Sequence, residues 1–175
     1  MKVIGLAGWS GAGKTTLLSR VIPHLLKEGL RVSVIKHAHH AFDVDVPGKD
    51  SWRHRHSGAT EVLVSSTQRW ALMHELRGAG EPRLPELLAK MSRVDLVVIE
   101  GFKREPHRKI EVHRAANAKP LLFPDDPGVV GIATDVAVET TLPTAHLDDI
   151  EAIAAMMLRS AVSVEEVLAQ SEAES

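Results

Sequence analysis

The sequence predicts an α/β fold, a mainly parallel sheet with helices on both faces. Three observations predict it. Apolar, β-branched runs alternate with stretches of helical spacing along most of the 175 residues. The first run, Lys2 to Ala7, leads directly into a glycine-rich turn and then a helical stretch. A later run from Asp95 to Ile99 is too continuously apolar to be exposed on one face, as befits a parallel strand covered by helices.

Taken in order, Lys2 to Ala7 reads as a buried strand. Lys14 to Leu30 reads as a helix with Leu17, Leu18, Val21, Ile22, Leu25 and Leu26 on one stripe, interrupted by Pro23 and closed near Gly29. Arg31 to Ile35 is a second strand, and Lys36 to Asp50, with Pro47-Gly48, a polar loop. Ser51 to Ser57 starts a helix, closed near Gly58. Glu61 to Ser65 and Arg69 to Met73 form two short strands with a tight connection, a small hairpin inserted within residues 60–73. Leu84 to Met91 is a helix, Asp95 to Ile99, Lys109 to Val112 and Val129 to Ala133 are strands, and Asp148 to Arg159 is an amphipathic helix. Ser163 to Ala169 is read as a short extra turn, and Ser171 to Ser175 as a frayed end. Residues 1–160 are thus expected to form one domain, with 161–175 a C-terminal extension.

Composition narrows the function. With 21 basic and 23 acidic side chains the formal charge is −2, which calls for neither nucleic acid nor an anionic membrane as partner. Aromatic residues make up 3%, too few for a stacking platform for single strands. The absence of cysteine excludes disulfides and thiolate metal sites. No apolar run approaches a membrane span and the first apolar run ends in a glycine-rich loop, so a cytoplasmic location is expected.

Gly8-Trp9-Ser10-Gly11-Ala12-Gly13-Lys14-Thr15 fits G-x-x-x-x-G-K-[ST] between a predicted strand and a predicted helix. Glycines let the backbone bend round a phosphate with its N–H groups inward, and the helix aims its positive dipole end at the anion. Ser10, Gly11, Ala12, Gly13, Lys14, Thr15 and Thr16 are therefore the predicted nucleotide-binding residues. Lys14 reaches the β- and γ-phosphates, and the Thr15 hydroxyl ligates Mg²⁺. The fold class becomes a P-loop NTPase-type three-layer sandwich.

P-loop proteins place an acid at the end of a neighbouring strand to hold the metal shell or orient water. Glu100 stands at that end, while Asp95 lies at the strand's start, about 16 Å away. Glu100 is the predicted metal and catalytic carboxylate, beside Lys14 and Thr15. In the loop after the second strand, Asp43 or Asp50 can join the Mg²⁺ shell, and Asp50 completes the predicted metal set. His37, His39 and His40 could bind a transition metal, and Lys36, Lys49, Arg53 and Arg55 could grip a second anionic ligand.

Together GWSGAGKTTLL, IKHAHHAFDVDVPGKDS, the RWALM segment at Arg69 to Met73 and VVIEGFK at Val97 to Lys103 resemble the molybdopterin-guanine dinucleotide biosynthesis adaptor proteins. The likeness runs from Lys2 to about Asp135. It implies GTP as ligand or substrate with Mg²⁺, slow hydrolysis, and assistance to the molybdenum cofactor guanylyltransferase that attaches GMP to molybdopterin. It also implies molybdopterin as a further ligand, and a homodimer joined partly through the inserted strands, where Trp70 and Met73 could serve either an interface or the core. The guanine-reading N-K-x-D motif is absent; Thr134 and Asp135, ending a strand, are the candidates instead, Asp135 as acceptor for guanine N1–H and N2–H₂ or as a cap. Three alternatives stay open. One is a small-molecule kinase, with Lys103, Arg104 and Arg108 in a lid; another is a metallochaperone GTPase using His37, His39 and His40; the third is a nucleotide-gated binding module in which hydrolysis plays no part.

Overall fold

The computed structural model describes residues 1–38, 42–102 and 105–173, the last two by their backbone alone. In chain order the elements are β1 (Lys2–Ala7), α1 (Lys14–Lys27), β2 (Val32–Lys36), α2 (Asp50–His56), β3 (Glu61–Ser65), β4 (Trp70–His74), α3 (Leu84–Ala89), β5 (Leu96–Glu100), β6 (Lys109–His113), a 3-10 turn (Ala115–Asn117), β7 (Val129–Thr134), β8 (Thr144–His146), α4 (Ile150–Ser160), β9 (Val162–Ser163) and α5 (Val164–Ala173). They form two compact units, Met1–His37 with Leu84–Ser175, and Ala38–Arg83.

The first unit is built on a sheet of order β2-β5-β1-β6-β7-β8, parallel throughout, with β9 antiparallel to the start of β1. Parallel neighbours need crossovers, which put helices on the faces. Side-chain alternation shows both faces filled. Ile4, Leu6, Leu96 and Val98 pack with Leu17, Val21 and Leu25 of α1 and Ile153 and Met157 of α4. Val3, Val97 and Ile99 pack with Leu84 and Leu88 of α3 and Val167 of α5. Each such side chain contributes about 1.5–3 kcal/mol on burial. The fold is the three-layer α/β sandwich that the sequence predicts.

In α1 the predicted stripe is narrower than read. Leu17, Leu18, Val21 and Leu25 are buried, whereas Leu26 is 53% exposed. At about 100° per residue Leu26 lies on the side opposite Leu17, so six apolar residues span more than the sheet covers. The segment after α4 differs more. Instead of a short turn it forms β9 and a ten-residue helix that reaches Ala173, with Ser171 buried rather than frayed. Ser163 and Glu166 make a reciprocal cap. Glu166 N donates to Ser163 Oγ (3.1 Å) and Ser163 N to Glu166 Oε2 (3.1 Å). β8 and β9, three and two residues long, are too short to show a period in sequence.

His107, just before β6, is 1% exposed, and neither ring nitrogen has a hydrogen-bond partner among the described residues. Burial, helped by the Lys109 ammonium, lowers its pKa from 6.5 to about 4. The native state therefore keeps His107 neutral while the unfolded chain takes up a proton below pH 6.5. Its contribution is complete above that pH and lost as pH falls toward 4, a total on the order of 3 kcal/mol. Denaturant unfolding between pH 7 and 4 is expected to show this loss, and His107→Leu to flatten it. An equal slope in both proteins would refute the assignment.

The second unit carries α2 and the antiparallel β3–β4 hairpin, paired from Glu61↔His74 to Ser65↔Trp70. Arg55 of α2 is its staple. Its guanidinium donates to Asp43 (2.7 Å), Asp45 (3.1 Å) and Glu75 (2.7 Å). The Arg55 hydrogen bond is the main reason the Asp43 carboxyl lies below its ordinary range. Leu63, Trp70 and Leu72 share one face of the hairpin and are largely exposed in this chain.

Candidate functional site

The site grows from the carboxyl end of β1. Gly8 has φ 144°, and a Cβ there would collide with the Val112 carbonyl oxygen of β6, so the chain can leave the strand only as glycine. The loop then turns through Gly11 and Gly13, both at positive φ, and α1 begins at Lys14 with Gly13 as its N-cap and no acid in its first turn. The helix end that attracts anions is thus presented bare. Lys14 Nζ lies over the loop, donating to the carbonyls of Gly8 (2.8 Å) and Trp9 (3.1 Å).

β5 places Glu100 beside this loop through the registers Leu6↔Glu100 and Lys36↔Glu100. The Thr15 hydroxyl donates to Glu100 Oε1 (3.0 Å), and Lys36 Nζ lies 3.5 Å from the same oxygen. Glu100 is 8% exposed, so its interactions are little screened by solvent. A hydroxyl and a carboxylate oxygen side by side form a hard donor set, suited to Mg²⁺ rather than to a soft metal. Asp95, at the other end of β5, accepts the Arg31 amide (2.8 Å) instead.

Behind the loop stands a brace that the sequence alone does not reveal. After β6 the segment 114–120 wraps the loop: Asn117 Nδ2 donates to Ser10 O (3.0 Å) and Trp9 Nε1 to Pro120 O (2.8 Å). Buried Glu111 in β6 anchors the turn beyond this segment, accepting from the amides of Leu122 (2.7 Å) and Phe123 (3.0 Å). Arg114 reaches the N-cap of α1; a Cβ on Gly13 would sit 3.7 Å from its Nη2. One signal could have found Arg114. It directly follows a strand next to β1, and open α/β sheets bind ligands beyond the carboxyl ends of such strands, where the winding reverses.

At the ends of β7 and β8 an open pocket of about 270 Å³ is lined by Thr134, Asp135, Val136, Thr144, Ala145 and His146, among others. Asp135 Oδ1 accepts the Ala115 amide (2.8 Å), the main reason its carboxyl lies below the ordinary range, and Oδ2 lies 3.7 Å from Arg114 Nη1. Asp135 therefore ties down the 3-10 turn after β6 through the Ala115 amide, while also lining the pocket. Thr134 Oγ1 lies 3.2 Å from His113 Nδ1.

Of the other predicted residues, Asp50 opens α2 in the second unit and is exposed. Asp43 and Arg55 bind each other, so Arg55 is occupied by carboxylates rather than open to an anionic ligand. Lys49 and Arg53 are exposed. His37 packs against Phe102 in a tilted ring contact, centroids 4.7 Å apart. His39, His40, Lys103 and Arg104 lie outside the described residues. Among the described residues no three His, Cys, Asp or Glu side chains form a metal cluster, and no helix is long and apolar enough to cross a membrane.

Residues 3–135 match the family model described as molybdopterin guanine dinucleotide synthesis protein B. The chain is 42% identical over 155 residues to the molybdopterin-guanine dinucleotide biosynthesis adapter protein of Escherichia coli, covering 87% of this chain and 89% of that one. It is 44% identical over 140 residues to the adapter protein of Haemophilus influenzae, covering 78% and 76%. A crystal structure of a molybdopterin-guanine biosynthesis protein B superposes with a TM-score of 0.72 at 28% identity, over 90% of this chain and 98% of that one. With residues 3–135 matched by the family model and two curated relatives above 40% identity, the chain belongs to the molybdopterin guanine dinucleotide synthesis protein B family.

Proposed function

We propose that this chain binds GTP with Mg²⁺, hydrolyses it slowly, and assists the guanylyltransferase that attaches GMP to molybdopterin. The observation that carries the chemistry is the Thr15–Glu100 pair at 3.0 Å, set beside a phosphate loop whose lysine already lies over it. The pathway rests on family membership. Lys14 and the loop amides would neutralise charge developing on the β- and γ-phosphates. Mg²⁺ held by Thr15 and Glu100 would supply additional charge neutralisation. Guanine would enter the pocket at Thr134 and Asp135, and the apolar face of Leu63, Trp70 and Leu72 would be covered in a homodimer.

The deciding experiment is calorimetric titration with GTP and with ATP, with and without Mg²⁺. Tight binding with a preference for GTP supports the reading, and addition of the partner enzyme is then the next step. Preference for ATP would remove the guanine assignment, and no binding would remove the nucleotide function altogether. Glu100→Gln is expected to lower GTP hydrolysis about tenfold or more, the usual scale for a group that stabilises transition-state charge, while affinity measured in a chelator stays unchanged. Unaltered hydrolysis would release Glu100 from its role.

A further inference from the structure

Arg114 stands between the two ends of the site. Its Nη2 and Nε lie 3.7 and 3.8 Å from where a Cβ on Gly13 would be, at the start of α1. On the other side its Nη1 faces Asp135 Oδ2 at 3.7 Å, at the rim of the β7–β8 pocket. The side chain is 45% exposed, so it is held by its neighbours yet open to a ligand. Asp135 is itself fixed, because its other oxygen accepts the Ala115 amide at 2.8 Å. Orienting one charged group through another that is tied to backbone is how a site pre-arranges a guanidinium before the ligand arrives.

A nucleotide seated with its triphosphate in the loop and its base in the β7–β8 pocket would pass Arg114 on the stretch joining the two. That stretch carries the α- and β-phosphates, whereas the γ-phosphate lies at the Lys14 and Thr15 side. Guanidinium donors match phosphate oxygens in charge and fork geometry better than a lysine ammonium does. We propose that Arg114 is a second phosphate-binding cation of this site, acting on the α- and β-phosphates and oriented by Asp135. The inference rests on the nucleotide-binding reading above.

The test compares the unmodified protein with Arg114→Ala and Arg114→Lys by calorimetry against GTP, GDP, ATP and guanosine. Arg114→Ala is expected to weaken GTP and GDP to the same extent, about tenfold, as for loss of one charge-assisted hydrogen bond. ATP weakens in proportion, so the GTP-to-ATP ratio is preserved, guanosine is untouched, and Arg114→Lys recovers part of the loss. Unchanged GTP and GDP binding by Arg114→Ala would overturn the proposal. So would a loss confined to guanine nucleotides, or one equally large for guanosine, since either would make Arg114 a support for the base pocket. If the unmodified protein itself binds no nucleotide, the underlying reading fails first and this inference with it. Circular dichroism of each variant confirms that the comparison is between folded proteins.

Discussion

Lys14→Ala is expected to weaken GTP binding at least about a hundredfold, with the fold intact. The test separates affinity from stability, because the fold's core lies elsewhere, in the packing of the sheet against its helices. The Lys14 ammonium lies over the loop, donating to the carbonyls of Gly8 and Trp9. Facing a triphosphate it would make charge-assisted hydrogen bonds, each worth about 1.5–3 kcal/mol, and two such bonds are on the order of a hundredfold or more in affinity. Calorimetric titration with GTP measures the loss, and thermal unfolding without nucleotide should be almost superimposable on that of the unmodified protein. Unchanged affinity in Lys14→Ala would defeat the phosphate-loop assignment, whatever the family of the chain.

The second large effect is structural and begins at Glu111. Its side chain lies inside the sheet's first unit, fully buried, with both oxygens taken by the amides of Leu122 and Phe123. Burial raises its pKa, and the two amides work against that by favouring the carboxylate. Glu111→Ala leaves two donors without acceptors at a cost of about 1–3 kcal/mol each, plus a cavity. An overall loss of roughly 3–5 kcal/mol is expected in denaturant unfolding. The same change frees the segment that braces Ser10 and Trp9, so nucleotide affinity should fall in protein that remains folded. A variant as stable as the parent would mean that the 120–123 turn is held by something else.

Much of this was legible in the residues, for identifiable reasons. β1, β5 and β7 are continuous apolar runs because parallel strands are covered on both faces, and such runs stand out in any sequence. The glycine-rich turn after β1 was legible because backbone geometry fixes residue types there: glycine at Gly8 answers a direct collision with Val112. That Glu100 lies beside this turn was legible from its place at a strand end. Arg114, Asn117 and Glu111 were not, because their meaning comes from which strand neighbours β1, and sheet order is a tertiary fact that β6 does not carry within itself. Asp135 was half legible. Its position at the end of β7 pointed to a ligand, while its bond to the Ala115 amide depends on a turn twenty residues away. The Ser163–Glu166 cap is a different case, since S-x-x-E was there to be read and marks a helix start.

The pairing of β9 with β1 sets a timetable for biosynthesis. Val3 meets Val162, a separation of 162 − 3 = 159 residues, so β1 leaves the ribosome long before the strand that completes it on that side. At about 5–20 residues per second the lower edge of β1 waits roughly ten to thirty seconds for its antiparallel neighbour. During that interval it is an apolar strand with open backbone groups, the kind of surface that recruits other chains. A nascent chain stalled before Val162 would keep that edge open indefinitely, which makes the stretch from Ala161 to Val167 the part of the message whose translation ends the period of risk.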